Sequence, residues 1–330
     1  MNTEELYTTA KAMMTPGKGI LAADESNNSA AKRLEAIGAE ASEENRMLYR
    51  DLFFSANGIE NYLSGTILYD ETIRQANREG KLFRDVLKEK GIIIGIKVDT
   101  GAKDFPYFPG EKITYGLDGL AERLKEYYDM GARFAKWRAV ITIGDNIPTE
   151  GCIRANAHAL ARYAGLCQEA NIVPMVEPEV LLEGNHTIEQ AEQVTTRTIQ
   201  VLFEELVNYR VDLKAVILKT SMVVPGSENG HTDPKTVAEK TVAMLKATVP
   251  AEVPGVVFLS GGQTPEDATA HLNEMAKLEP LPWQLAFSYA RAIQGPALEI
   301  WQGKMENFSS AQEEFINRLK INTQADQGKL

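Results

Sequence analysis

An eightfold alternation of short apolar runs with helical patterns predicts an α/β chain folded as a (β/α)8 barrel. Runs rich in Val, Ile, Leu and Phe recur at Gly19–Asp24, Ser64–Tyr69, Ile92–Val98, Arg133–Arg138, Val173–Glu177, Ala215–Lys219, Val256–Ser260 and Gln284–Tyr289. Most are near-continuous and not alternating, as expected of parallel strands covered on both faces. Their centres lie about 30 to 45 residues apart, room for a strand, a helix and two loops joined by right-handed crossovers. Eight such units in 330 residues suit a closed barrel better than the alternative, an open doubly wound sheet.

Met1–Lys18 reads as a helical segment ahead of the first strand. Leu117, Leu120, Ala121, Leu124, Tyr127 and Tyr128 follow helical spacing, with Gly131 placed to end the helix. Ile188, Ala191, Val194, Thr198, Val201 and Leu202 form a second stripe. Thr264-Pro265-Glu266-Asp267 starts a third helix, with a capping Thr, Pro in the first turn and acids behind it. No Ser/Gly-rich or charged linker divides the chain, so residues 1–330 are expected to form one domain. The barrel occupies about 19–300, and a C-terminal helix with a short tail occupies 309–330.

Thirty-five Lys and Arg against 46 Asp and Glu give a net charge of −11, which argues against sequence-independent nucleic-acid binding. Locally convergent basic residues still permit small anionic ligands. Cys152 and Cys167 are the only cysteines, and reduced thiols fit a cytosolic setting. The first residues carry no apolar signal core, and no run approaches the ~18 apolar residues of a membrane span, so neither secretion nor insertion is expected.

Barrel chemistry collects at the C-terminal strand ends. Those ends carry Asp24, Lys97, Lys136 with Arg138, Glu177 with Glu179, Lys219, Ser260-Gly261-Gly262 and Arg291. One charged strand end is ordinarily a solvated edge; charges at six strand ends of one barrel mouth point to a site. Lys219 is either a snorkelling lysine or a Schiff-base nucleophile, and a nucleophilic amine needs burial and a nearby like charge, which Lys136 could supply. Lys136 and Arg138 are two residues apart and share a strand face. Glu177 and Glu179 share a face if the strand continues through Pro178; they read either as proton-transfer groups or as ion-pair partners for Lys136 and Arg138. Ser260-Gly261-Gly262 before a capped helix reads as a phosphate cradle, with Arg291 as its clamp, against a plain glycine turn.

Gly17-Lys18-Gly19-Ile20-Leu21-Ala22 matches a loose dinucleotide fingerprint but precedes its strand, so it reads as a turn. His158, His186, His231 and His271 are scattered, with no metal-ligand spacing, and no metal or cofactor is expected.

Six stretches carry a resemblance: Gly19-Ile-Leu-Ala-Ala-Asp-Glu-Ser, Gly95-Ile-Lys-Val-Asp, Phe134-Ala-Lys-Trp-Arg, Ile172-Val-Pro-Met-Val-Glu-Pro-Glu, Phe258-Leu-Ser-Gly-Gly-Gln and Phe287-Ser-Tyr-Ala-Arg-Ala. In collinear order they resemble the class I fructose-1,6-bisphosphate aldolases, the metal-independent Schiff-base type, from about Met13 to Lys329. The resemblance implies a lyase in which Lys219 forms the Schiff base with the ketose carbonyl. It implies Glu177 as acid and base, Glu179 and Lys136 as groups tuning its protonation, and Asp24 as base on the substrate 4-hydroxyl. Ser260, Gly261, Gly262 and Arg291 would hold the 1-phosphate; Lys97 and Arg138, helped by Ser26, Lys32 and Arg33, would sit towards the 6-phosphate, and Ser288 is a further substrate- or phosphate-binding residue. It further implies a glycolytic and gluconeogenic role, a homotetramer, and sedoheptulose 1,7-bisphosphate as a second substrate.

Two departures accompany it. Thr220-Ser221-Met222 stands where animal and plant members carry Pro-Asn-Met, and the sequence ends at Leu330, short of the tail whose final tyrosine assists enamine protonation there. Two rival readings share the barrel: a phosphosugar isomerase using Glu177 or Glu179 without a covalent step, and a phosphosugar-binding protein without turnover.

Overall fold

In the computed structural model, which describes residues Met1–Leu330, eight parallel strands lie in the order β1 (Gly19–Ala23), β2 (Leu63–Leu68), β3 (Ile93–Lys97), β6 (Phe134–Ile141), β7 (Val173–Val180), β8 (Ile217–Thr220), β9 (Gly255–Phe258) and β10 (Gln284–Phe287). The Ala22 amide donates to the Tyr289 carbonyl at 3.0 Å, drawing the last strand against the first. All eight expected strands are present, and the fold is a (β/α)8 barrel. Two strands run further than expected: β6 continues to Ile141 and β7 to Val180. Each is paired with the other along that whole length, so the ladder carries β7 through Pro178 and keeps Glu177 and Glu179 on one face.

An antiparallel hairpin, β4 (Gly101–Phe105) with β5 (Phe108–Tyr115), was not anticipated and sits between β3 and the next helix. Its strands are only partly buried and carry Lys103, Asp104, Glu111 and Lys112, so no apolar run marks them.

The helices are α1 (Thr3–Met13), α2 (Asn27–Ala36), α3 (Glu43–Phe54), α4 (Asp70–Arg74), α5 (Phe83–Glu89), α6 (Leu120–Asp129), α7 (Glu150–Glu169), α8 (Ile188–Asn208), α9 (Pro234–Thr248), α10 (Pro265–Ala276), α11 (Arg291–Trp301) and α12 (Phe308–Ala325). The N-terminal segment, the two stripes and the C-terminal helix all appear, and α10 starts as read: Thr264 accepts from the Asp267 amide and Pro265 occupies the first turn. Both cysteines are free and buried on α7. Gly17 turns with φ +75° directly before β1, as the turn reading requires.

Strand alternation divides the apolar residues into two cores. Leu21, Ile94, Trp137, Val176, Leu218, Val256 and Leu285 point outward beneath the helices. Ile20, Ala22, Ile67, Phe134, Val173, Met175, Ile217, Val257 and Ala286 point inward, and α1 closes the floor with Leu6, Ala10, Met13 and Met14. Inside, large residues are matched by missing ones. The Phe134 ring occupies the space beside Gly95, where a Cβ would lie 2.2 Å from the ring, and it also crowds Gly65 at 3.1 Å. Met14 fills the corresponding space at Gly255.

Gly95→Ala is therefore expected to overpack the interior and lower unfolding free energy by about 1–3 kcal/mol. Phe134→Leu added to it should restore part of the loss, because the two sites share one volume. Denaturant titration of both single variants and the double variant measures this. Strictly additive losses would show that the ring and the glycine do not compete for space.

Candidate active site

The inward parity that builds the apolar layers continues into charge. On β1 it runs Ile20, Ala22, Asp24; on β6, Phe134, Lys136, Arg138; on β7, Val173, Met175, Glu177, Glu179; on β8, Ile217, Lys219. Four of these groups meet above the core. The Lys219 Nζ lies 3.1 Å from Glu177 Oε1, and Lys136 Nζ lies 3.2 Å from Glu177 Oε2 and 2.6 Å from Asp24 Oδ2. Lys219 and Glu177 are each only 3% exposed and Lys136 4%, so these charges are answered by one another instead of by water.

Two ammoniums and two carboxylates balance, which is what makes burial tolerable. Burial works to raise Glu177, but the ammoniums of Lys136 and Lys219 and the guanidinium of Arg138 outweigh it and hold the carboxyl below its usual range. Asp24 is likewise driven well below the carboxylate range, burial being overcome by Lys136 and Lys219. The carboxylates in turn raise Lys136 against its burial, so it stays an ammonium. The sequence offered Lys136 as the like charge near Lys219, and Lys136 is held charged. Its charge is claimed by Asp24 and Glu177, and the two lysines stand on either side of one shared acid.

Glu179 stands apart from this group. It pairs with Arg138 while Glu177 pairs with the two lysines, which is the ion-pair reading of the acid pair with Lys219 added. Ser221, one of the residues departing from the animal and plant pattern, is buried and donates to the Val180 carbonyl at 2.8 Å. That bond ties the exit of the Lys219 strand to the end of the strand carrying Glu177.

A cavity of about 520 Å³ opens beside the cluster, lined by Asp24, Ser26, Arg33, Lys97, Lys136 and Arg138 among others. Lys97 is ion-paired with Asp99 and donates to its carbonyl at 2.7 Å. Arg33 is held by Glu25 and donates to Tyr49 and Gln294, at 2.9 and 2.6 Å, so part of its fork is committed to structure. Lys32 is exposed on α2 and is not part of the lining.

Across the ring of eight strands, β9 faces β3, and its loop carries Ser260, Gly261 and Gly262. Both glycines have positive φ, +43° and +91°, and neither amide is hydrogen-bonded within the chain. Arg291 reaches this loop, its Nη2 lying 3.9 Å from where a Gly262 Cβ would stand. As read from the sequence, the helix after the glycines, α10, is capped by Thr264 and carries Glu266 and Asp267; α11, by contrast, begins uncapped at Arg291. Ser288 is buried at inward parity, with its hydroxyl unpartnered.

Several residues of the site escaped sequence reading. Asp99 ends the quoted Gly95–Asp99 stretch at the same parity as Lys97, and Tyr69 follows Gly65 and Ile67 in the same way; extending the period of two by one step finds both. Ser29, Arg123 and Tyr127 come from helices α2 and α6, where no strand-end rule applies. Of the histidines, His158 meets Glu205 and Tyr209, while His231, meeting Asp267, and His271, meeting Gln263, line one pocket.

Replacing Lys136 by Met leaves Asp24 and Glu177 facing each other without their shared cation. A loss of about 3–5 kcal/mol at pH 7 is expected. The loss should shrink towards pH 5, because unpaired buried carboxyls titrate upward and take up protons as pH falls. Denaturant unfolding at the two pH values tests this, and an equal loss at both would contradict it.

The family model described as fructose-bisphosphate aldolase class-I matches residues 5–330. A protein of Xanthomonas campestris named probable fructose-bisphosphate aldolase class 1 is 53% identical over 331 residues, covering 100% of this chain and 99% of that protein. The Arabidopsis thaliana protein named fructose-bisphosphate aldolase 4, cytosolic, is 49% identical, covering 99% of this chain and 84% of that one. Among solved structures, the Plasmodium falciparum fructose-bisphosphate aldolase, in a ternary complex with TRAP and a small-molecule inhibitor, superposes with a TM-score of 0.97 at 47% identity, covering 99% and 95% of the two chains. A match across nearly the whole chain, together with the barrel and its charged mouth, leads to one conclusion: this chain belongs to the class I fructose-bisphosphate aldolase family and is a lyase.

Proposed function

We propose that this enzyme cleaves fructose 1,6-bisphosphate reversibly to dihydroxyacetone phosphate and glyceraldehyde 3-phosphate through a Schiff base on Lys219. The observation that carries this reading is the buried Lys219 amine 3.1 Å from Glu177 Oε1, with a second lysine on the other carboxylate oxygen. Glu177 takes the ammonium proton, the free amine adds to the C2 carbonyl, and the resulting carbinolamine needs a proton on its departing hydroxyl. Glu177 supplies it, water leaves, and an iminium forms. Asp24 then removes the proton of the 4-hydroxyl, the C3–C4 bond breaks, and its electrons neutralise the iminium as an enamine. Lys136, beside Asp24, stabilises negative charge developing on the C4 oxygen. Protonation of the enamine at C3 and hydrolysis return Lys219 and release the second product.

The two phosphates are assigned to opposite sides of the mouth. Gly261 and Gly262 amides, Ser260, Ser288 and Arg291 take the 1-phosphate; Lys97, Arg138, Ser26 and Arg33 take the 6-phosphate, with exposed Lys32 at most a peripheral charge. Glu179 orients Arg138. Sedoheptulose 1,7-bisphosphate presents the same two ends and belongs to the same proposal, testable by direct assay. So does a homotetramer working in the cytosol in glycolysis and gluconeogenesis, which sedimentation and cell fractionation test. No helix is long and apolar enough to cross a membrane.

Borohydride reduction with fructose 1,6-bisphosphate in EDTA, read by intact mass and peptide mapping, is expected to leave a substrate-derived adduct on Lys219. Lys219→Met should give neither adduct nor cleavage. Activity surviving in that variant would remove the covalent step and favour an isomerase. Binding without turnover in the unaltered protein would favour a binding protein.

Arg291→Ala should raise KM for fructose 1,6-bisphosphate about tenfold or more, the worth of a charge-assisted hydrogen bond. An unchanged KM would move the 1-phosphate away from the glycine loop.

A further inference from the structure

The loop carrying Ser260–Gly262 has few attachments of its own, and one of them runs through a histidine. His271 lies on α10, two turns past the loop, and is 4% exposed. Its Nδ1 is 2.6 Å from Gln263 Oε1. The Gln263 Nε2 points the other way and donates to Met222 Sδ at 3.6 Å. Met222 follows Lys219 by three residues, so the Gln263 amide joins the glycine loop to α10 on one side and to the exit of the nucleophile's strand on the other.

This arrangement fixes the imidazole tautomer. A thioether accepts hydrogen bonds and does not donate them, so the Gln263 NH2 faces sulfur and its carbonyl oxygen faces the ring. Nδ1 must then carry the hydrogen, and Nε2 is left as a buried atom without a partner. Burial holds the ring neutral, down to about 4, so this donor pattern persists through the neutral range. A second backbone bond, Gln263 N–H to the Ser260 carbonyl at 2.8 Å, closes the glycine turn on the same residue.

We propose that His271 is a positioning residue for the 1-phosphate end of the substrate: by holding the Gln263 side chain it sets where the Gly261 and Gly262 amides point. The inference rests on the assignment of that loop as the phosphate cradle. His271 touches no reacting atom; it acts through Gln263.

Dihydroxyacetone phosphate is titrated into the full-length unaltered protein, H271L, H271N, Q263M and the H271L/Q263M double variant, with borohydride trapping read by intact mass. His271→Leu removes the donor, and the concentration for half-maximal trapping should rise about three- to tenfold, the net worth of one buried hydrogen bond. His271→Asn retains an N–H donor and should stay within about twofold of the unaltered protein. Gln263→Met should match H271L, and the double variant should be no worse than either, because one bond is being removed twice. Trapping at saturation should be nearly complete in all of them.

A purely structural role predicts the reverse: a lower saturating yield or thermal midpoint with half-saturation unmoved, which would overturn the proposal. So would a rise that H271N fails to reverse. If H271L does not fold, Q263M alone carries the same expectation. Arg291→Ala separates the two levels. Weakened trapping there with unchanged H271L and Q263M defeats the positioning role only. No effect in any of the three defeats the cradle and the proposal with it.

Discussion

The strict alternation of side chains along eight inward-curving strands is the constraint on which everything else here depends. A barrel interior holds only one parity per strand, so the same series that must be apolar in the middle must supply the chemistry at the end. Ile217 and Lys219, or Met175 and Glu177, are successive members of one column. The apolar members beneath the charged ones are buried, and α1 seals the floor. Lys219, Glu177, Lys136 and Asp24 are therefore forced to satisfy one another.

In the proposed mechanism the same contacts carry the chemistry. An acid shared between two ammoniums is anionic in the resting protein and, on that proposal, receives a proton from the amine it touches. Balanced charge makes the cluster tolerable, and the short distances are those the proposed proton transfer needs. The same residues could not be separated into a structural set and a functional set, because removing a cation leaves buried carboxylates and removing a carboxylate leaves a buried cation.

The ring also sets distance and direction. In the order β1-β2-β3-β6-β7-β8-β9-β10, the strand of Lys97 lies opposite the strand leading to the glycine loop, with Glu177 and Lys219 on strands between them. A ligand with an anion at each end and a carbonyl between fits that layout. Ser221, which departs from the animal and plant pattern, sits where the backbone is tied together, its hydroxyl bridging β8 to β7.

All eight barrel strands, the helices at both chain ends, the turn at Gly17 and the identity of the charged column ends were legible in the sequence, because each depends on local periodicity or on turn chemistry within a few residues. The β4–β5 hairpin was not, since it is polar and only partly buried, too little to leave a pattern. Of the charge partners, only the pairing of Glu177 and Glu179 with Lys136 and Arg138 was among the readings. That Lys136 also meets Asp24, and that Glu177 also meets Lys219, follow from which columns become neighbours when the sheet closes. The tie from His271 through Gln263 to Met222 likewise joins segments distant along the chain. The linear sequence determines which residues face inward at each strand's end; only closure of the barrel decides which of them touch, because contact across strands is a property of the ring and not of any one strand.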